Sequence, residues 1–98
     1  MLSVQLEFTG PIIEWRGPAP YYFVATPDDE SAAIEAVASM VTYGWGAIPV
    51  KGRIGSTDFT TSLFPRGETY LVPMKVAVRR AEGLELGDRV TIQLTLDV

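Results

Sequence analysis

The hydrophobic residues of this chain keep strand spacing at both ends and helical spacing across one long stretch between, which limits the fold more than any other feature. Leu2, Val4, Leu6 and Phe8 alternate with Ser3, Gln5, Glu7 and Thr9, and Val90, Ile92, Leu94 and Leu96 alternate with polar neighbours in the same way. A period of two belongs to a strand with one face buried. Ala33, Ile34, Val37, Met40 and Val41 instead recur at helical spacing among good helix formers. They predict one long helix over residues 28–43, with Thr26 as N-cap, Pro27 in the first helical position, Asp29 as the acid of a capping box and Gly44 as the stop. Its face of Ile34, Val37, Met40 and Val41 is expected to pack against a sheet and close one end of it.

The remaining segments read mostly as short strands. Gly10-Pro11 punctuates the first strand, residues 12–15 and 21–25 are β-prone, and Arg16-Gly17-Pro18-Ala19-Pro20 breaks them apart. Ile48, Val50, Gly52 and Ile54 followed by Phe59, Thr61 and Leu63 predict a hairpin about Gly55-Ser56-Thr57-Asp58. Pro65-Arg66-Gly67 is the next turn and residues 69–72 the next strand. Residues 74–82 suit both periods, and Pro73 decides for a short helix, since proline fits a helix start and removes a ladder donor in mid-strand. Nothing in composition divides the chain, so residues 1–98 are expected to form a single mainly β domain. A sheet so short leaves open edges unless it closes or another chain covers them, hence the expectation of a homodimer.

Composition removes whole classes of chemistry. Without cysteine or histidine there are no disulfides, thiolate nucleophiles, zinc sites of the usual donors or His-based triads. A net charge of −4 opposes non-specific binding to nucleic acid. That charge is uneven: the first half holds Arg16 against Glu7, Glu14, Asp28, Asp29, Glu30 and Glu35, and every other basic residue follows position 50. No apolar run approaches the roughly 18 residues of a membrane span, and the N-terminus lacks the basic and apolar regions of a secretory signal. A soluble, cytoplasmic protein is expected.

Lys51-Gly52-Arg53-Ile54-Gly55 and Asp58-Phe59-Thr60-Thr61-Ser62-Leu63-Phe64-Pro65-Arg66-Gly67 resemble a small prokaryotic family of unknown function, found alone or joined to YdeI/OmpD-associated segments. Phe8-Thr9-Gly10, Tyr22-Phe23 leading to Pro27, and Pro73, Val78-Arg79-Arg80 and Gly87-Asp88 extend the resemblance over nearly the whole chain. It implies a small double-split β-barrel. The C-terminal third, Val78-Arg79-Arg80-Ala81-Glu82-Gly83-Leu84-Glu85-Leu86-Gly87-Asp88-Arg89-Val90, is similar to the swapped-hairpin AbrB/MazE domains, which supports the short helix at residues 74–82. The acidic first half departs from AbrB-type DNA binders. The resemblance implies no activity and no cofactor.

Several residue groups invite a functional reading. Asp28, Asp29, Glu30 and Glu35 hold the oxygen ligands of a hard-cation site, but acids in a first helical turn complement its dipole, and the alternation of a calcium loop is missing. Gly52 and Gly55 would let backbone approach an anion, although bends of a barrel also call for strand glycines. Trp15, Tyr22 and Trp45 are candidates to line a cleft between helix and barrel. Arg53, Ser62, Lys75 and Arg79 are the candidate ligand-binding residues, because a helix at 74–82 would set Lys75 and Arg79 on one face beside the hairpin, with Arg79 as anchor. The expected function is a non-enzymatic module binding a small anionic ligand or a protein partner. The alternatives are an AbrB-like nucleic-acid binder, and an enzyme using a carboxylate or a lysine base such as a Ser62–Lys75 pair.

Overall fold

The computed structural model describes residues 3–15, 21–41 and 48–97. In chain order these form β1 (Ser3–Pro11), β2 (Ile13–Trp15), β3 (Tyr21–Ala25), α1 (Asp28–Val41), β4 (Ile48–Ile54), β5 (Thr57–Arg66), β6 (Thr69–Pro73), α2 (Val76–Glu82) and β7 (Arg89–Asp97). The chain is mainly β, as expected, and neither described helix is long and apolar enough to cross a membrane. The strands make one antiparallel sheet in the order β1-β7-β4-β5-β6-β3-β2, curled into a half-barrel.

The two ends of that sheet, β1 and β2, are successive pieces of chain separated by Ile12. Ile12 is the corner. Its N–H donates to the Asp88 carbonyl and its carbonyl accepts from Gly87 N–H, both at 2.9 Å, while its side chain is buried. Gly10-Pro11 therefore does not end β1: both residues pair with β7, Gly10 opposite Val90 and Pro11 opposite Arg89, and the break comes at Ile12. Proline is tolerated there because it is the strand's last residue.

β5 belongs to both halves of the sheet. Its residues 57–63 pair with β4, and only residues 64–66 pair with β6. Beyond Leu71, β6 runs on beside β3, Val72 opposite Val24 and Pro73 opposite Phe23. A wedge thus opens between β5 and β6, and α2 lies along it. At one end Lys75 Nζ donates to the Thr60 carbonyl at 2.6 Å, and at the other Thr57 Oγ1 donates to Glu82 Oε2 at 2.5 Å.

Both hairpins flanking β5 turn on two residues, Gly55-Ser56 and Gly67-Glu68. Each glycine has φ +59° and no described non-glycine residue has positive φ, so each turn carries its left-handed residue first, as type II′ requires. The strands are consequently longer than their hydrophobic spacing predicts, with Thr57, Asp58, Pro65 and Arg66 all in β5.

The main core fills the inside of the curl: Ile48, Val50 and Ile54 of β4, Leu63 of β5, Ile92, Leu94 and Leu96 of β7, and Phe8 of β1. Alternate residues of β4 are exposed, which is the period-two pattern read from the sequence. Val78 attaches α2 to this core, and Ile34 and Ala38 attach α1, which packs against β6.

α1 sits differently from expectation. It begins at Asp28, and the Pro27 carbonyl accepts the first helical hydrogen bond, from Ser31 N–H at 2.8 Å. Thr26 is not the cap. Its Oγ1 accepts from Tyr70 N–H at 3.1 Å and lies 2.5 Å from Ser31 Oγ, which ties the helix start to β6. Ser31 is thereby buried with Ile34 and Ala38, whereas Val37 is only half-buried. Met40 and Val41 side chains, residues 42–43 and Gly44 lie outside the described residues.

Pro73 is the other correction. It ends β6 opposite Phe23, and the short helix starts only at Val76, with Lys75 extended in the cap position (φ −64°, ψ 149°). Gly83 (φ +63°) closes it, donating to the Arg80 carbonyl, as a C′ glycine does.

Candidate functional site

The wedge between β5 and β6 has a floor and two walls. Strands β4, β5 and β7 put Lys51, Thr60, Ser62 and Thr95 on the outer face of the half-barrel, Lys51 standing opposite both Thr60 and Thr95. Pro49, Pro73 and Phe64 supply apolar walls, and Lys75 enters from the start of α2. Together with Val50 and Thr61 they line an open cleft of about 810 Å³. That size lies within the range of small-molecule sites.

The register explains why these residues meet. Continuing the β5–β6 pairing past Phe64 opposite Leu71 would set Ser62 opposite Pro73 and Thr60 opposite Lys75. The strands part instead, and the Lys75 ammonium spans the gap to the Thr60 carbonyl. An ammonium carries three donors, so this bond leaves others for a ligand. The lining holds two lysines, four hydroxyl residues and no acid.

Of the expected residues, Ser62 and Lys75 come together here. Arg53 lines an adjoining cleft of about 600 Å³ that shares Lys51, Thr60 and Thr95 with the first. Its guanidinium is held by Asp58 at 3.1 and 3.3 Å, with Nε donating to the Gly55 carbonyl at 3.2 Å. Half of Arg53 and most of Asp58 is exposed, so the pair is solvent-screened and contributes little to stability.

Arg79 lines neither cleft. Because Lys75 precedes the helix, the shared helical face expected for the two cations does not form. Arg79 Nε donates to the Met74 carbonyl at 3.1 Å, and its guanidinium lies 4.2 Å from the centre of the Tyr22 ring, a cation–π contact that fixes α2 to β3.

The glycines are also occupied. Gly52 lies under the Phe59 ring directly across the ladder, and the Glu82 carboxylate fills the space beside Gly55 where a Cβ would project. Neither backbone is open to an anion. Sequence reasoning puts Lys51 and Thr60 beside the expected basic patch without counting them among its ligand-binding residues, and misses Thr95 and Phe64. The signal was available in the alternation, which places Lys51, Thr60 and Ser62 on one outer face.

The Lys75 ammonium is a donor to a carbonyl, and no hydrogen bond joins Ser62 to Lys75 among the described residues. Trp15 is exposed and meets the Arg66 guanidinium at 5.0 Å, Tyr22 underlies Arg79, and Trp45 lies outside the described residues.

On the far side of the fold, Asp28, Glu35 and Glu68 surround Tyr70 in a smaller hollow of about 310 Å³. Among the described residues no group of acids is arranged to hold a metal ion. Burial, and secondarily the Glu35 charge, raise the Tyr70 phenol above its ordinary value of 10.0. A folded pKa above the unfolded one stabilises fully below the unfolded value and is lost as pH rises through the folded one. Urea unfolding between about pH 9 and 11 should therefore show wild type losing stability more steeply than Tyr70→Phe. Parallel pH dependences for the two proteins would contradict this coupling.

A family model described as a domain of unknown function, DUF1905, matches residues 8–94. No curated protein matches the chain.

Proposed function

Because the chain belongs to the DUF1905 family, whose function is unknown, we propose from the cleft itself that the protein is a non-enzymatic module binding a small anionic ligand. One observation carries the reading: a chain of net charge −4 presents a cleft whose lining includes Lys51 and Lys75 and no carboxylate. Lys75 anchors the anion, Lys51 adds charge from β4, and Ser62 and Thr95 offer hydroxyls. The division of β5 between two halves of the sheet supports the finer reading of the fold as a double-split barrel, with the cleft at one of its splits.

Ligand binding to the folded state alone raises the melting temperature by mass action. Phosphate or a simple carboxylate should stabilise wild type and Arg79→Ala more than a chloride control of equal ionic strength, and should give Lys75→Gln no more than that control. Equal stabilisation of wild type and Lys75→Gln would remove the site.

A further inference from the structure

Phe64 is out of place for a simple anion site. It is 49% exposed, yet it stands on the outer face of β5 two residues from Ser62 and lines the same cleft as both lysines. A site for phosphate or another fully hydrated anion has no use for an aromatic wall, whereas Phe64, Pro49 and Pro73 give this one three rigid, flat apolar surfaces. The cleft is also larger than a bare anion needs and open rather than tunnel-like, which suits a planar body better than a long flexible chain.

Building on the anion-binding reading, we infer that the ligand class is an aromatic carboxylate, with its carboxylate at Lys75 and Lys51 and its ring against Phe64 between the two prolines. Charge complementarity fixes the orientation. The cations come from the Thr60 side, where Lys75 is held by the Thr60 carbonyl, and the apolar wall lies at the other end of the same stretch of β5. The Ser62 hydroxyl lies between them in sequence and register, so a carboxylate bound at the lysines directs an attached ring toward Phe64.

The test is amide chemical-shift titration of the full chain with acetate, benzoate and 2-naphthoate. Binding should tighten at least tenfold from acetate to benzoate and again with the second ring, as burial of aromatic surface requires. Phe64→Ala, whose half-exposed position leaves folding intact as checked by amide dispersion, should erase the gain from the ring, so that benzoate and 2-naphthoate bind it no more tightly than acetate does. Lys75→Gln should weaken all three acids. If the three acids bind equally, or if the gain survives Phe64→Ala, the aromatic assignment is wrong while the anion site stands. Failure of every acid, up to the solubility of benzoate, to shift the cleft amides of the wild type overturns both.

Discussion

Ile34→Asp should abolish the cooperative thermal transition, whereas Val37→Asp, on the same helix, should leave a folded protein with a lowered melting temperature. Ile34 has no exposed surface and joins α1 to the core beside Tyr70 and Val72. Placing a carboxylate there costs several kcal/mol, against a total stability of about 5–15 kcal/mol for a domain. Val37 is half-buried, so an introduced charge keeps contact with water. Circular dichroism melts of the two variants check the assignment, and a wild-type-like melt for Ile34→Asp would show that the buried face of α1 lies elsewhere.

Leu63→Ala should destabilise by about 2–5 kcal/mol, and Leu63→Met by less than about 1.5 kcal/mol. Leu63 is fully buried, and it is the last residue of β5 to pair with β4 before the strand passes to β6. A cavity at that point loosens both halves of the sheet at once. For a chain of this length the alanine variant should lose on the order of 10 °C or more in Tm. A loss as small as that of the methionine variant would mean that the two halves are held together elsewhere.

The contrast between Ile34 and Val37 shows where sequence reading stops. Helical spacing located α1, but its buried face is defined by Ser31 and Ala38 as well as Ile34. Neither stands out by hydrophobicity. They are buried because small side chains let the helix come close to β6, and because the Ser31 hydroxyl has Thr26 as partner. The two hairpins were legible because Gly55 and Gly67 occupy positions that need positive φ. Pro11 and Pro73 misled because each sits at the very end of a strand, where a missing N–H costs little. At the site, Lys75 and Ser62 were found from charge and hydroxyl content, but Arg79 was grouped with them on a helical face that begins one residue too late. Thr95 becomes visible only once the sheet order places β7 beside β4, a pairing between segments far apart in sequence.

That pairing bears on how the molecule is made. A ribosome delivers β1 before any other described strand, and β7, the partner of β1 along its whole length, after all of them. Until Arg89–Asp97 emerges, Phe8 on β1 and Val50 and Ile54 on β4 have no strand to bridge them, and Ile12 lacks the Gly87 and Asp88 groups that hold its corner. The nascent chain can form the local β4–β5–β6 hairpins, but its inner face stays exposed until β7 arrives, while contact with other chains is hazardous. The last of the described strands to be synthesised is the one that turns an open, adhesive sheet into a closed core.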